Sequence, residues 1–271
     1  MSAPAVGTLL RDWRVRRGRS QLDVSVDAGV STRHLSYVET GRSRPSPELV
    51  LLLAQHLDVP LRERNQLLLA AGYAPRYGET SLDDPSMAHV RGSIQRILDA
   101  HDPYPGVAVD RRWDVVLANR AASLLIVGVP AHVVGDRPNV HRVCLHPEGL
   151  ARTTVNIDDW AEYLVGQLRR TAVLTGDPTV ESLLAEVEEY PAVTALARRP
   201  RADRSLTDEG PTLLVPFRWA SPVGTLELFT TLTTFGTPRD VTLDELAVEL
   251  FYPADDATAR ILSDVQVVQG V

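Results

Sequence analysis

Lysine is missing from this 271-residue chain, so all 28 basic residues are arginines; no mechanism follows from that alone. Cysteine occurs once, at Cys144, which excludes an intrachain disulfide and with it the disulfide-scaffold class. No apolar run approaches the roughly eighteen residues of a membrane-spanning helix. The first seven residues, Met1 to Gly7, lack the basic-then-apolar order of a secretory signal. Gly-x-Ser-x-Gly, Walker-type and Gly-x-Gly-x-x-Gly strings are also lacking, which removes the commonest hydrolase, NTPase and dinucleotide signatures. These absences predict a cytoplasmic protein with no membrane association, no catalytic residues and no enzymatic activity. His141, Cys144 and His146 lie close together, but at a spacing that matches no zinc pattern, so no metal is expected. The acidic pairs Asp83-Asp84, Asp158-Asp159, Glu188-Glu189 and Asp255-Asp256 sit beside loops or helix starts and read as caps and solvated faces.

What is present divides unevenly. Residues 1–78 carry eleven arginines against seven acids, a balance of +4, whereas the rest of the chain stands at −11. Residues 11–44 alone hold eight arginines and four acids. A basic head on an acidic body points to an anionic partner for the head only.

The head reads as five short helices. Leu9, Leu10 and Trp13 form one apolar stripe, ending near Gly18. Ser20 stands as the N-cap of a helix over 21–28, Gly29 suits the tight turn that follows, and Ser31 caps the next helix. That helix buries Leu35 and Val38 and stops at Thr40-Gly41; a fourth begins at Ser46 or Pro47 and a fifth after Pro60. Two short helices joined by a glycine turn have the helix-turn-helix outline.

The string Ser20-Gln21, Ala28-Gly29-Val30-Ser31, Leu35 to Arg42 and Pro45-Ser46 resembles the XRE-type, phage-repressor-like DNA-binding domain over about residues 6–70. Val24-Ser25-Val26 departs from the family's usual smaller residues, as a packing change. The resemblance implies that the helix from Ser31 is the recognition helix in the major groove. Thr32, Arg33 and Tyr37 would face base edges, Arg33 as a fork to guanine worth roughly 1–3 kcal/mol of discrimination. Gln21, Ser31 and Ser36 would reach phosphates, with Arg42 and Arg44 as phosphate clamps. Glu39 would face back toward the first helix and pair with Arg14.

Residues 72–85 are rich in breakers and predict a hinge, so the chain divides into a head over 1–78 and a second domain over 79–271. A helix is expected over 86–100, as a dimer contact, a strut or packing for its own domain. Strand-like runs follow at 106–110, 113–118, 212–220, 224–235 and 245–252, with helical stretches near 119–127, 158–174, 178–189 and 191–198. Two strands, a helical insert and three more strands predict a five-stranded antiparallel sheet with helices on one face, an α+β fold.

Several strings in this half carry a second resemblance: Asp110-Arg111-Arg112-Trp113-Asp114, His146-Pro147-Glu148-Gly149, Phe235-Gly236-Thr237-Pro238 and Glu249 to Asp255. They are similar to the MmyB-like ligand-binding domain of bacterial transcription regulators, which implies a PAS-like fold and a small-molecule sensor. The ligand implied is a small apolar or acyl compound such as a fatty acid, acting as effector rather than as a cofactor. Trp113, Trp160 and neighbouring aliphatics would supply apolar surface, either as pocket wall or as ordinary core. Each buried methylene of a ligand would contribute up to about 0.8 kcal/mol. Tyr104, Asn119, Arg152 and Asn156 are candidates to hold a polar head group. The whole reads as a transcription regulator that binds an operator as a homodimer, located at the bacterial nucleoid when bound to DNA. The alternative is a DNA-binding regulator whose second domain is a protein-interaction or dimerisation module with no ligand.

Overall fold

A computed structural model describes residues 5–198 and 214–269. Met1 to Pro4, within the N-terminal stretch read above, lie outside the described residues. So do Thr212 and Leu213, at the start of the expected strand over 212–220.

The chain forms two compact units: residues 1–84 with 235–244, and residues 85–234 with 245–271. The first contains α1 (Val6–Arg16), α2 (Gln21–Asp27), α3 (Thr32–Glu39), α4 (Pro47–His56) and α5 (Leu61–Ala70). Three of these begin where a serine side chain accepts an orphan helix N–H: Ser20 from Asp23, Ser31 from His34 and Ser46 from Leu49. At Ser20 the Asp23 carboxylate returns the bond, closing a capping box. Leu10, Val24, Leu35, Val38 and Leu53 meet in one core, each at most 3% exposed. Gly7 lets α1 cross α3 closely, since a Cβ there would lie 2.2 Å from the Val38 carbonyl oxygen.

The expected hinge over 72–85 is fastened down through residue 80. Asn65 Oδ1 accepts from the backbone of Arg76 and Tyr77, and the Tyr73 hydroxyl donates to Pro45 O. Thr80 bonds Asp240, and Val241 N donates to Gly78 O at 2.8 Å. The 235–244 segment, with the short helix α13 (Val241–Asp244), thus belongs to the first unit. Its Asp244 accepts from Leu61 N at 2.8 Å and caps α5, whose N-cap Pro60 has no side chain able to do so.

The second unit is α+β. Its sheet contains β1 (Gly106–Val109), β2 (Val115–Ala118), β3 (Phe217–Ser221), β4 (Gly224–Thr234) and β5 (Ala247–Pro253), antiparallel throughout in the order β2-β1-β5-β4-β3. Between β2 and β3 lie α7 (Arg120–Leu125), α8 (Ala131–Val134), α9 (Val140–Leu145), α10 (Ile157–Thr175), α11 (Pro178–Glu188) and α12 (Pro191–Arg198). Two helices outside this insert frame the sheet, α6 (Ala88–Asp99) before it and α14 (Asp256–Gln269) after it. The expectation of helices on one face is corrected by α6. A Cβ on Gly106 would touch both Leu98 of α6 and Leu250 of β5. Leu250 points away from the face that carries its neighbour Glu249, so α6 covers the opposite side. The α6 helix therefore packs on its own sheet through Ile94 and Leu98, both at most 1% exposed.

Candidate functional site

Two features can recognise something outside the chain: the α2–α3 face and a cavity in the second unit. The α2–α3 turn is set by Gly29, at φ +64°, and by Val30 N donating to Ser25 O. Glu39, only 7% exposed, ties α3 to α1 and α2 at once. Arg14 Nε and Nη2 donate to its two oxygens at 2.7 and 2.9 Å, and Gln21 Nε2 donates at 2.8 Å. Burial alone would raise the Glu39 pKa, but the bonds from Arg14 and Gln21 outweigh it and hold the carboxyl below its ordinary value.

The α3 surface that remains open is small and basic. Ser31, Arg33 and His34 are exposed. Arg33 Nε donates to the Tyr37 hydroxyl at 3.0 Å, and the guanidinium groups of Arg33 and Arg42 lie 5.3 and 5.9 Å from the Tyr37 ring centroid. Ser36 and Tyr37 are half-buried beside them. The remaining expected contacts are partly committed within the fold. Thr32 Oγ1 bonds Ser25 Oγ at 2.8 Å across the turn, and the Gln21 amide is turned onto Glu39. Arg44 donates twice to Ala71 O at the end of α5 and stacks on Tyr73. Arg17 bonds Leu57 O and Asp58 O, and Arg19 pairs with Asp27. With Arg14, half of the eight arginines in residues 11–44 brace the helices.

The second feature is a cavity of about 280 Å³ between the sheet and the inner helices. The sheet contributes Val107, Leu117, Phe217, Glu249 and Phe251; α7 contributes Ala122 and Leu125; α9 and α10 contribute Val143, Cys144, Trp160 and Leu164. The position of Glu249 follows from the pleat. It pairs with Val107 across β1 and stands two residues from Phe251, so all three share one face of the central strand pair. Burial pushes the Glu249 carboxyl up to about 7, although the Thr230 hydroxyl bonds its charged form. Burial likewise pushes the Cys144 thiol up to about 12, which leaves it a weak donor rather than a nucleophile.

Of the residues expected to hold a ligand, Trp160 lines this cavity and the others do not. Asn119 spends its side chain on the backbone, accepting from Gly106 and Ala122 and donating to Leu98 and Tyr104. Asn156 is bonded to Pro216 O and Arg218 N. Trp113 has φ +66°, which takes it off the strand alternation and sets it edge-on to His141 at 5.5 Å. Tyr104 packs edge-on to His101, and Arg152 is exposed on a single 3-10 turn. Glu249 escapes sequence reading because alternation along 245–252 marks a strand and sets Leu246, Val248, Leu250 and Tyr252 on one face without saying what covers the other. Phe251, on the same face as Glu249, is the signal that this second face is covered too.

The histidines scatter as well. His141 is fully buried, and burial pushes its pKa down to about 4. His146 lies instead at the surface near His132 and Glu148, whose ligand atoms come within 4.8 Å of one another; His132 Nε2 and Glu148 Oε2 are 3.0 Å apart.

The chain thus combines a helix-turn-helix head with an α+β unit that encloses an apolar cavity. A helix-turn-helix domain model matches residues 5–67, and the model of the MmyB-like transcription regulator ligand binding domain matches residues 90–264. The chain belongs to this MmyB-like family. Two curated relatives, both Transcriptional regulator ClgR of Mycobacterium tuberculosis (strains CDC 1551 / Oshkosh and ATCC 25618 / H37Rv), are 43% identical over 56 residues. That stretch is 21% of this chain and 50% of each relative, so the chain spans about half the length of the relatives it matches. Among solved structures, an RNA-binding light-oxygen-voltage receptor is similar over 97% of this chain and 62% of its own, at 15% identity. Its TM-score of 0.27 is too low to carry an argument. No helix among the described residues is long and apolar enough to cross a membrane.

Proposed function

We propose that the protein regulates transcription by binding an operator through α3 while a small apolar ligand, of acyl-chain character, occupies the cavity of the second unit. The observation that carries the ligand half is the apolar wall itself: three quarters of the lining side chains are hydrocarbons, around a space just below the roughly 300–1,000 Å³ typical of small-molecule sites. The DNA half rests on the open Arg33-Tyr37-Arg42 cluster at the exposed face of α3. The regulator acts as a homodimer on half-sites about one helical turn, roughly 34 Å, apart. A ligand changes its activity only by binding one conformation more tightly than another.

Selection from randomised duplexes, followed by titration at several salt concentrations, tests the first half. Arg33→Ala is expected to cost about 1–3 kcal/mol at a guanine of the selected site and to flatten base preference there. Arg42→Ala is expected to weaken all sequences alike and to lower the salt slope by about one. An equal loss on every sequence in Arg33→Ala would refute this division of roles. Native mass spectrometry of the purified chain, with extraction of released small molecules, tests the second half and gives the stoichiometry. A dimer releasing about one apolar molecule per chain is the expected result. A monomer that releases none, with a second unit that captures a protein partner, would favour the interaction-module reading.

A further inference from the structure

Away from the cavity and the α3 face, one cluster of metal-ligating side chains stands out among the described residues. His132 of α8 meets His146 and Glu148 of the turn that follows α9, each placing a ligand atom within 4.8 Å of the other two. The distance from His132 Nε2 to Glu148 Oε2 is 3.0 Å. Around a tetrahedral zinc, with bonds of about 2.0–2.2 Å, donor atoms stand roughly 3.4 Å apart, so small side-chain rotations suffice. The backbone beneath the cluster is fixed. Gly149 N donates to His146 O at 2.8 Å, closing a turn with Pro147 and Glu148 at its corner. A Cβ on Gly149 would lie 2.2 Å from Val143 O, so this turn presses against α9. The His146 ring packs edge-on to Tyr190 at 5.1 Å, and the Tyr190 hydroxyl and Arg142 both bond Glu186. Glu186 is spent on those two partners, which leaves Glu148 as the carboxylate of the cluster. On the other side Val133, 1% exposed, anchors α8 beside His132. His141 and Cys144, the sequence neighbours of His146, take no part: the first is fully buried and the second lines the cavity.

From this placement we propose that His132, His146 and Glu148 bind one divalent transition-metal ion of the zinc type, which pins α8 to the turn after α9. Two imidazoles and a carboxylate suit Zn²⁺ and its borderline neighbours, whereas Mg²⁺ and Ca²⁺ take oxygen donors. Three protein ligands leave the remaining coordination to water. The ion closes the segment 132–148, which carries Pro138, Asn139, Val140, Val143 and Cys144 of the cavity wall, so its binding stabilises that part of the second unit. The cost is one hydrogen bond. His146 Nδ1 accepts from Glu148 N at 3.1 Å, and with either ring nitrogen on the metal that bond is lost. The N–H lies at the exposed surface, where water takes it up. An ion pair between His132 and Glu148 alone would have no use for a third member; metal binding does.

Calorimetric titration of the full chain, untagged and first stripped with a chelator, with Zn²⁺ alone tests the site. One ion per chain, with a Kd of about 10 μM or tighter, is the expected result, and Mg²⁺ in its place is expected to give no uptake. His132→Ala and Glu148→Gln are each expected to weaken Zn²⁺ binding at least about tenfold. His89→Ala, at an exposed histidine outside the cluster, is expected to leave it unchanged. Zn²⁺ is expected to raise the denaturant midpoint of the unmodified chain and not that of His132→Ala. Co²⁺ is expected to give the visible absorption of a four- or five-coordinate ion, which both cluster variants lose. The side chains of His132 and Glu148 are 61% and 56% exposed, so both variants are expected to keep the fold, which circular dichroism checks. No uptake of Zn²⁺ would reduce the cluster to a surface ion pair and overturn the proposal. Undiminished binding in either cluster variant, or an equal loss in His89→Ala, would place the ion elsewhere and overturn it as well.

Discussion

Glu249→Gln is expected to stabilise the second unit by up to about 3 kcal/mol at pH values above neutral, and to change almost nothing below about pH 4. In the unfolded chain this carboxyl loses its proton near 4.5; in the folded sheet it does so at about 7. Between those values the folded state holds a proton that the unfolded state has released. Raising the pH through this window therefore favours unfolding: the contribution of Glu249 is fully present below 4.5 and gone above about 7. Glutamine has no proton to lose and escapes the penalty. His141 works in the opposite sense, because burial holds it near 4 against an ordinary 6.5. Its contribution is complete above 6.5 and fades as the pH falls toward 4. The two groups offset each other between about pH 4.5 and 6.5, so the unmodified unit is expected to be nearly insensitive to pH there, while the variant weakens steeply on acidification. Denaturant midpoints of both proteins across this range check the claim. A variant that parallels the unmodified chain at every pH would refute it.

The second large effect is expected from Arg14→Ala. Arg14 and Glu39 have side-chain exposures of 12% and 3%, and the arginine supplies two of the three bonds made by the carboxylate. Removing it leaves a buried anion with Gln21 alone, a loss of about 3 kcal/mol or more in the stability of the head. Because Glu39 ends the recognition helix, the loss is expected to fall on all DNA sequences alike, unlike that of Arg33→Ala. Faster amide exchange in α1 and α3, measured alongside duplex titration, would report it. The double variant Arg14→Met with Glu39→Leu is expected to recover most of the stability, since no charge is then left buried. A double variant as unstable as the single would show that packing of the arginine stem, rather than the charge, carries the effect.

Local chemistry made the head legible. Ser20, Ser31 and Ser46 mark helix starts through bonds that span only three residues, and each cap is found where expected. The pairing of Arg14 with Glu39, expected from the family pattern, is also present. Legibility failed where a side chain's partner lies far along the chain. Arg44 in its bond to Ala71 O and Asp244 in its cap on α5 look like surface charges in sequence and are braces in the fold. The terminal helix α14 and the short α8 and α9 were missed: the last two have little more than a single turn, too short for periodicity to register.

The sequence by itself determined the helix-turn-helix head and the five strands in their order, because caps, turns and hydrophobic period act over a few residues. Only the tertiary structure decided which arginines brace the head and which stay on its open face, that residues 72–80 are fastened to the head, and that Glu249 faces a cavity. Each depends on what covers a surface. A strand's alternation says which residues share a face, but only packing from elements distant in sequence says whether that face meets water, a helix or a ligand.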